Sequence, residues 1–510
     1  MAAKIICGER ILPLDEMHER AHRAAAGLRT LGVGEQDAIA VFLRNDFPFV
    51  EAAYAANRLG AHLVPINWHF SASEASYVLE DSGAKVVIAH TDLAEKLEGA
   101  VPTGCQLFLV ETPPEIRDHF QLGEDAITPR TDAPRWGRWL EEYEPLEPAE
   151  VSAPGSMIYT SGTTGRPKGV RRQAPSPEEA QALGEIMEYI MPFDPDGAVA
   201  LVTAPLYHST PNGFFRRAID FGADLVLEPR FDPERYLALI DRHHVTHAYA
   251  VATMFIRMLR LPEEVRSNYD VSSLKVVVHG AAPTPPEVKR RIIDWFGPVL
   301  VEHYGSTELG AVVACNAHEW LDHVGTVGKP LPHVDITVLD EEKREQPPGE
   351  PGEIYARMKY YPDFTYQNDP EKRAAMEHEG LWTAGDIGYL DEDGFLYLSD
   401  RKRDMIISGG VNIYPLEIEA ELHQMPEILD CAVFGIPDDE FGEAVAAVVL
   451  PQPDARLTDA DVRAFLKPRI AGYKMPKVID FREDLPREDS GKIFKRKIRD
   501  EYWQAAGRNI

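Results

Sequence analysis

Short apolar runs alternate with longer amphipathic segments through the first half of the chain. Runs such as AIAVFLRND, KVVIAH, AVALVTAP, THAYAVAT and LKVVVHG are rich in β-branched residues or alanine and have the length of buried strands. Between them, the stretch from Asp15 to Leu31 carries Met17, Ala21 and Leu28 on one helical face and stops at Gly32. Strands that alternate with helices predict an α/β fold of largely parallel sheets covered by helices.

The pattern changes near residue 400, where strand signals meet a run of charges and glycines. An Asp-Gly pair typical of a hairpin turn is followed by a charged cluster and a Gly-Gly pair, and Pro415 stands at the predicted start of a helix. A charged junction flanked by glycine offers little resistance to rotation and suits a hinge. We predict a large N-terminal domain over residues 1–402 and a small, mobile C-terminal α+β domain over 403–510, with the hinge near Arg403.

Length, charge and cysteine usage narrow the class of protein. A chain of 510 residues exceeds what one hydrophobic core supports, in agreement with two domains. The formal net charge of −30 is spread without a basic block and argues against nucleic acid or an anionic membrane surface as partner. Four cysteines without CxxC spacing are typical of reduced thiols, and no apolar run has spanning length. We therefore expect a cytoplasmic protein with no integral membrane segment.

Residues 130–154, rich in proline, glutamate and tryptophan, are predicted to form a surface excursion.

The stretch YTSGTTGRPKGV, Tyr159 to Val170, has the composition of a phosphate-binding loop. Its hydroxyl groups donate hydrogen bonds, its glycines let backbone N–H groups approach a ligand, and Lys168 adds a positive charge. It lacks the G-x-x-x-x-G-K-[ST] pattern of the loop that cradles the phosphates in P-loop NTPases. A polar surface loop of the same composition is the plain alternative.

Five further motifs follow this loop in a fixed order. They are HGAAPTPP (279–286), EHYGSTE (302–308), LWTAGDIGYLDEDGFLYLSDR (381–401), DMIISGGVNIYPLEIE (404–419) and PREDSGKIFKRKIR (486–499). The set resembles the signature motifs of the adenylate-forming superfamily, which includes acyl-CoA synthetases, adenylation domains and beetle luciferases. The resemblance spans nearly the whole chain. It implies a small β-barrel-like part in the large domain and, as substrates and cofactor, a carboxylic acid, ATP, Mg²⁺ and CoA.

The resemblance also implies roles for individual residues in adenylation. Glu308 would hold Mg²⁺, Asp386 and Arg401 would bind the ribose, and Lys492 would be the catalytic lysine, with His208 as a gate beside the acid. A surface ion pair for Arg401 and a surface basic patch around Lys492 are the alternatives. The residues assigned to ATP or AMP are Thr160, Ser161, Gly162, Thr163, Thr164, Lys168, Gly280, Ala281, Ala282, Pro283, His303, Tyr304, Gly305, Thr307, Asp386 and Arg401.

A second set of residues is implied for thioester formation and for the acid. Those expected at CoA are Gly409, Gly410, Phe441, Tyr473 and Lys477. Those expected around the acyl group are Tyr207, His208, Met254, Phe255, Gly280 and Val312, which favour a medium- or long-chain fatty acid or an aryl or arylalkanoic acid. The resulting hypothesis is an acyl-CoA ligase, with a homodimer as the family-level expectation for its assembly. A stand-alone enzyme that loads a carrier protein's phosphopantetheine and a nucleotide-binding relative without catalysis stay open as alternatives.

Overall fold

The computed structural model describes residues 3–129, 131–147, 151–160, 167–194, 197–401, 404–408, 411–438, 441–487 and 493–505. The strands of the first part are β1 (Lys4–Cys7), β2 (Arg10–Pro13), β3 (Ala38–Phe42), β4 (His62–Pro65), β5 (Ala84–His90), β6 (Gln106–Val110), β7 (Ile158–Thr160), β8 (Lys168–Arg172), β9 (Val199–Val202), β10 (Asp224–Leu227), β11 (His247–Ala250), β12 (Val276–His279), β13 (Leu300–Ser306), β14 (Gly310–Asn316) and β15 (Lys329–Pro330). Those that follow are β16 (Val334–Leu339), β17 (Gly352–Met358), β18 (Phe364–Tyr366), β19 (Glu377–His378), β20 (Leu381–Trp382), β21 (Asp386–Leu390), β22 (Leu396–Arg401), β23 (Ile406–Ser408), β24 (Val411–Ile413), β25 (Ile428–Asp438), β26 (Gly442–Pro451) and β27 (Val478–Phe481).

Helices separate most of the strands of the first part. They are α1 (Leu14–Thr30), α2 (Phe47–Leu59), α3 (Ala72–Ser82), α4 (Thr91–Ala94), α5 (Pro114–Phe120), α6 (Glu124–Ile127), α7 (Trp136–Leu140), α8 (Pro177–Ile190), α9 (Ser209–Phe221), α10 (Pro233–His243), α11 (Ala252–Leu259), α12 (Glu263–Arg266), α13 (Pro286–Phe296), α14 (Ala317–Asp322), α15 (Pro370–Ala375), α16 (Pro415–Leu422), α17 (Asp459–Leu466) and α18 (Lys495–Ala505). Short 3-10 helices cover Glu95–Leu97 and Gly472–Lys474.

The largest sheet carries the order β15-β14-β13-β12-β11-β9-β10-β1-β2 in the described part of the chain. The strands from β13 to β1 along this order run parallel, and antiparallel strands close both edges. Their side chains point into helix-covered faces, so their residues are almost all buried. This arrangement confirms the predicted α/β class.

Three smaller sheets complete the part of the chain before residue 402. The order β4-β3-β5-β6 is wholly parallel, and β18-β8-β7 is a small antiparallel sheet. Strands β16, β17 and β19 to β22 form an antiparallel sheet, which corresponds to the β-barrel-like part that the resemblance implies. The turn between β21 and β22 contains Gly394 at φ 80°, the left-handed region that an Asp-Gly turn requires.

The chain after residue 404 builds a sheet of its own, in the order β24-β23-β26-β25 with β27 parallel to β26. Helix α16 begins at Pro415, as predicted, because a proline lacks only an N–H that has no partner in a first helical turn. The predicted hinge residue Arg403 lies outside the described residues, so the domain boundary stays a prediction. No helix in the described ranges is long and apolar enough to cross a membrane.

The predicted surface excursion over residues 130–154 is wrong in its central part. Trp136, Trp139 and Leu140 form the buried face of the short helix α7. The Trp136 indole donates a hydrogen bond of 2.8 Å to the buried Glu51 carboxylate on α2, and Phe108 packs against both tryptophan rings. The two indoles bury a large apolar area, which outweighs the polar composition around them.

Candidate active site

A cleft of about 1850 Å³ opens where adjacent parallel strands of the largest sheet end. The segments after β9, β11 and β12 and the end of β13 supply one wall, because the carboxyl ends of parallel strands meet at one edge of a sheet, and residues after 404 line the cleft as well. The wall residues from these segments are Tyr207, His208, Ala252, Thr253, Ile256, Gly280, Ala281, Ala282, Pro283, Thr284, His303, Tyr304, Gly305 and Thr307. Its volume exceeds that of a usual single-ligand pocket, so two substrates fit together.

Asp386 lies on the wall of the cleft and is 7% exposed. The Tyr304 hydroxyl donates to Asp386 Oδ2 over 2.7 Å, which fixes the orientation of the carboxylate. Strand pairing places the backbone of Arg401 on β22 directly opposite Asp386 on β21, while the Arg401 side chain is outside the described part of the chain. A fixed carboxylate at the cleft surface suits a vicinal diol, because its two oxygens accept two hydroxyl hydrogens.

Glu308 stands beside the cleft, next to Thr307 on its wall. Its Oε1 accepts a hydrogen bond of 2.9 Å from the Tyr366 hydroxyl and lies 3.5 Å from the Thr160 hydroxyl. Arg172 donates to the backbone carbonyls of Thr307, at 2.9 Å, and of Glu308. The backbone that carries Glu308 is thus fixed by a guanidinium, and its carboxylate is a hard oxygen ligand of the kind that Mg²⁺ prefers.

Two ammonium groups lie near the same tyrosine. Lys168 Nζ forms an ion pair with Asp369 and lies 5.7 Å from the centre of the Tyr366 ring, and Lys372 Nζ lies 5.4 Å from it. Partial burial lowers the pKa of Lys372, and the Lys168 charge adds to the effect. A phosphate group placed here would relieve the repulsion between these two cations.

Sequence reasoning named Lys168 and Glu308 as candidates but not Tyr366, Asp369 or Lys372, which the structure brings beside them. These three residues lie on β18, at the N-cap of α15 and in the first turn of that helix. Strand β18 pairs with β8, so Tyr366 lies opposite Val170 although the two are far apart in sequence. The residues stand in YQNDPEK, whose Asp-Pro pair predicts only a helix start.

The small residues after β12 bring the backbone close to β13. A Cβ at Gly280 would lie 2.6 Å from the His303 carbonyl oxygen, and one at Gly305 would lie 1.9 Å from the Gly310 carbonyl oxygen. Ala281 adopts φ 67°, which costs an alanine on the order of 1 kcal/mol. Gly280, Ala281, Ala282, Pro283 and Gly305 all line the cleft. Because their side chains are small, a purine can lie on this stretch of wall.

The predicted acyl residues divide into two groups. Tyr207 and His208 line the cleft, with ring centres 4.5 Å apart, and His208 is the N-cap residue of α9. Phe255 and Val312 are fully buried in two hydrophobic clusters and Met254 is 5% exposed, so none of the three is part of the cleft wall. Their neighbours Ala252, Thr253 and Ile256 face the cleft, because the helix α11 turns the intervening positions toward the core.

Several predicted residues lie outside the described part of the chain. They are Ser161, Gly162, Thr163, Thr164, Arg403, Gly409, Gly410 and Lys492. On both sides of the segment that contains Lys492, Arg487 and Ile493 pair with each other and line the cleft. The cations Lys495 and Arg499 around it pair with Glu419 and Asp404, at 2.7 and 3.8 Å, which accounts for part of the predicted basic patch.

Of the predicted CoA residues that the structure describes, Tyr473 lines the cleft and two others do not. Tyr473 is 57% exposed and lines the cleft. Phe441, 50% exposed, and Lys477, whose ammonium lies 2.5 Å from Asp438, are not among the described residues that form the cleft wall. The aromatic rings at positions 441 and 473 are therefore unusually exposed for their size.

Comparison with known proteins agrees with this geometry. Residues 3–360 match the model of a family described as AMP-binding enzyme, and residues 417–492 match that of its C-terminal domain. A feruloyl-CoA synthase of an Amycolatopsis species is 33% identical over 497 residues, which cover 96% of this chain and 94% of the relative. A fatty acid–[acyl-carrier-protein] ligase of Streptomyces coeruleorubidus is 30% identical over 522 residues, covering 99% of this chain and 94% of the relative.

The fold is also that of a solved structure. The crystal structure of ATP-bound MatB from Rhodopseudomonas palustris matches with a TM-score of 0.84 at 26% identity, over 98% of this chain and 96% of that one. ATP, Mg²⁺ and CoA, expected from the sequence motifs, are what the CoA ligases among such enzymes use. The chain belongs to the AMP-binding enzyme family, the adenylate-forming enzymes that its motifs resemble, and it is an acid–thiol ligase.

Proposed function

We propose that this enzyme is an ATP-dependent acyl-CoA ligase. The carboxylate of an acid attacks the α-phosphorus of ATP, the bond to the β-phosphate oxygen breaks, and pyrophosphate leaves. The CoA thiol then loses its proton and attacks the acyl carbon, and AMP leaves. The observation that supports this most is a cleft lined by Asp386, a carboxylate suited to a diol, with a second polar group beside it. There Lys168 and Lys372 lie near Tyr366, whose hydroxyl donates to Glu308 next to the cleft wall.

The residues beside the phosphate site fit Mg²⁺. Glu308 would hold the ion together with phosphate oxygens of the substrate, and the ion would neutralise charge on the leaving pyrophosphate. The chain's own contribution is positional. Arg172 fixes the backbone of Glu308 and Tyr366 orients its carboxylate, so little reorganisation is needed when the nucleotide binds.

We assign the chemistry of the first half-reaction to Lys492, with Arg401 at the ribose and His208 beside the acid. The small domain then turns about Arg403, so that Lys492 withdraws and Gly409, Gly410 and Phe441 approach the cleft with CoA. Turning separates two requirements, since adenylation needs water excluded and thioester formation needs room for a thiol. The exposed rings of Phe441 and Tyr473 support a surface that is covered only in part of this cycle.

The acid is best matched by an apolar body. Within the described residues, no lysine or arginine from the part of the chain before residue 402 lines the cleft, so a second carboxylate would lack a counter-ion there. Ala252, Ile256 and Tyr207 offer apolar surface to a fatty or aryl group. The names of the two relatives, which act on an aryl and on a fatty acid, support both classes.

The thiol acceptor has one alternative with a specific observation behind it. The Streptomyces coeruleorubidus relative is named for a carrier protein as acceptor. A carrier's phosphopantetheine would use the same cleft entrance as CoA, and acid-dependent turnover that CoA does not stimulate would favour it. We place the reaction in the cytoplasm, in keeping with four free cysteines, and a homodimer stays a prediction.

The test is AMP formation from ATP across a panel of fatty and aryl acids, with and without CoA. CoA-stimulated AMP with a preferred acid supports the ligase, and absence of AMP with every acid contradicts it. Lys492→Ala should nearly abolish acyl-adenylate formation while leaving thioester formation from supplied acyl-adenylate almost unchanged. Equal loss of both half-reactions would contradict the assignment of Lys492. The surface variant Lys497→Ala serves as a matched control, since residue 497 lies on α18.

A further inference from the structure

The end of helix α11 contacts the part of the chain that follows residue 404. Within the helix, Phe255 lies in the hydrophobic core and Ile256 lines the cleft. Arg260 is the C-cap residue, and its guanidinium donates a hydrogen bond to the backbone carbonyl of Leu429. Leu429 lies on β25, so this hydrogen bond joins the predicted large domain to the predicted small domain.

The residue after Leu429 links this contact to the segment that contains Lys492. Asp430 is 6% exposed, and its carboxylate forms an ion pair of 2.5 Å with Arg487. Arg487 and Ile493 pair with each other on either side of that segment, and both line the cleft. A series of contacts therefore runs from α11 through β25 to the residues that flank the segment of Lys492.

The charges at this contact favour the observed arrangement. Loss of hydration lowers the pKa of Arg260, the Asp430 carboxylate opposes this effect, and the Arg487 and Arg257 charges add to it. Asp430 thus attracts one guanidinium from each predicted domain, Arg260 and Arg487. The hydrogen bond to the Leu429 carbonyl has a charged donor, which makes it stronger than one between neutral groups. Arg260 is nevertheless exposed, so water competes for its hydrogen bonds and a moderate contribution is expected.

The position of Arg260 separates it from a substrate-binding residue. It is not among the described residues that form the cleft wall, whereas Ile256, one turn earlier on the helix, is. The other arginine of α11, Arg257, lies with its guanidinium carbon 5.0 Å from the centre of the Phe231 ring, in the part of the chain before residue 402. Arg260 therefore acts on the reaction through the small domain and not through the substrates.

We infer that Arg260 is a positioning residue for acyl-adenylate formation, because it holds the small domain where the residues that flank Lys492 line the cleft. When the small domain turns for thioester formation, the hydrogen bond to Leu429 must break. Loss of this bond therefore slows the first half-reaction and leaves the second as fast as in wild type or faster. This inference rests on the proposed ligase function and on the turn of the small domain that it includes.

The experiment measures the two half-reactions separately with the acid that wild type prefers. In Arg260→Ala, acyl-adenylate formation should be about 3- to 10-fold slower in a single turnover, the range of a charged hydrogen bond that is partly exposed. The KM for ATP should be unchanged, because the nucleotide does not contact Arg260. Thioester formation from supplied acyl-adenylate and CoA should proceed at the wild-type rate or faster.

Two further variants separate positioning from folding. Arg260→Lys keeps a charged donor for the Leu429 carbonyl and should restore part of the lost rate. Arg291→Ala removes an exposed arginine from α13 and should change neither half-reaction. The second half-reaction also shows whether each variant is intact, since a misfolded enzyme loses both.

The outcomes separate the two proposals. A wild type that forms no acid-dependent AMP, or no thioester from acyl-adenylate, overturns the ligase function and this inference with it. If wild type performs both steps, an equal loss of both in Arg260→Ala overturns the inference alone, because it indicates a purely structural role. Unchanged acyl-adenylate formation overturns it as well. A higher KM for ATP at an unchanged maximal rate also overturns it and places Arg260 at the nucleotide.

Discussion

We call the surroundings of Asp386, Glu308 and Lys168 the nucleotide side of the cleft. They differ from the wall that carries His303 in how the polar groups are paired within the chain. On the nucleotide side, the charged groups already have partners in the chain: Asp386 accepts from Tyr304, Glu308 from Tyr366, and Lys168 pairs with Asp369. On the wall that β12 and β13 form, the imidazole nitrogens of His303 are buried and have no partner among the described residues.

The difference follows from what each side must recognise. A buried charge without a partner destabilises the fold far more than a neutral polar atom does. The charged groups on the nucleotide side therefore need partners from the chain until ATP binds. ATP can replace these partners in every turnover, because the same nucleotide binds each time. A neutral polar atom without a partner costs the fold only about 1–3 kcal/mol, so the imidazole of His303 can remain buried without one.

The largest effect is expected at Glu308. Glu308→Gln should lower the rate of acid-dependent AMP formation by about 1000-fold, since it removes the charge that holds the ion on the leaving group. The exposed Glu263→Gln on α12 is the matched control and should leave the rate unchanged. A Glu308→Gln enzyme with wild-type turnover at saturating Mg²⁺ would show that the nucleotide side does not depend on this carboxylate.

Asp386 should have the next largest effect. Asp386→Asn is expected to lower kcat/KM for ATP by about 100-fold, because an amide accepts only one of the two ribose hydroxyls and loses the charge. Wild type should discriminate against 2′-deoxy-ATP, and the variant should not. Tyr304→Phe removes only the hydroxyl that orients the carboxylate, so a loss as large as that of Asp386→Asn would contradict this division of roles.

The free energy of unfolding should depend on pH through His303. The pKa of His303 is about 4 in the folded chain and about 6.5 when exposed, so the unfolded chain binds more protons between these values. The free energy of unfolding should therefore fall as pH falls from 7 to 5, by about 2 kcal/mol more in wild type than in His303→Gln. Urea titrations at both pH values measure it. An identical fall in both proteins would show that His303 titrates freely.

The smallest effect is expected at Asp369. Asp369→Asn removes the intrachain partner of Lys168, while asparagine still caps helix α15. Lys168 then has no ion pair to give up, so pyrophosphate should inhibit about 2- to 5-fold more strongly, the range of a partly exposed pair. Weaker inhibition would mean that Asp369 assists anion binding instead of competing with it.

Local pattern predicted the elements that depend on near neighbours. Helix α1 and strands β3, β5, β9, β11 and β12 fall where the apolar pattern placed them, because the helix buries one continuous face and the strands are buried on both. The pattern failed at Trp136 and Trp139, whose burial depends on Phe108 and Glu51 from other parts of the chain. Composition describes a segment, whereas burial depends on the elements that pack on it.

The candidate site shows the same division. Its motif residues Glu308, Asp386 and Lys168 are recognisable because ATP imposes one constellation on every member of the family. Tyr366 and Lys372 carry no motif, and only the pairing of β18 with β8 brings them to the anion site. Likewise, Phe255 lies in the core and Ile256 faces the cleft, because helix α11 points successive side chains in different directions. The sequence alone does not distinguish these two neighbours.

The amino-acid sequence was enough to predict the family and the alternation of strands and helices, and it supplies the candidate residues for the nucleotide. Both can be read from the sequence, because local periodicity and the binding of one common nucleotide constrain residues that lie close together in the chain. Only the folded structure shows which side chains pair with Asp386, Glu308 and Lys168, and that nitrogens of His303 and His279 have no partner in the described part of the chain. Hydrogen bonding and burial are properties of neighbours in space, and those neighbours come from strands that the chain brings together only on folding.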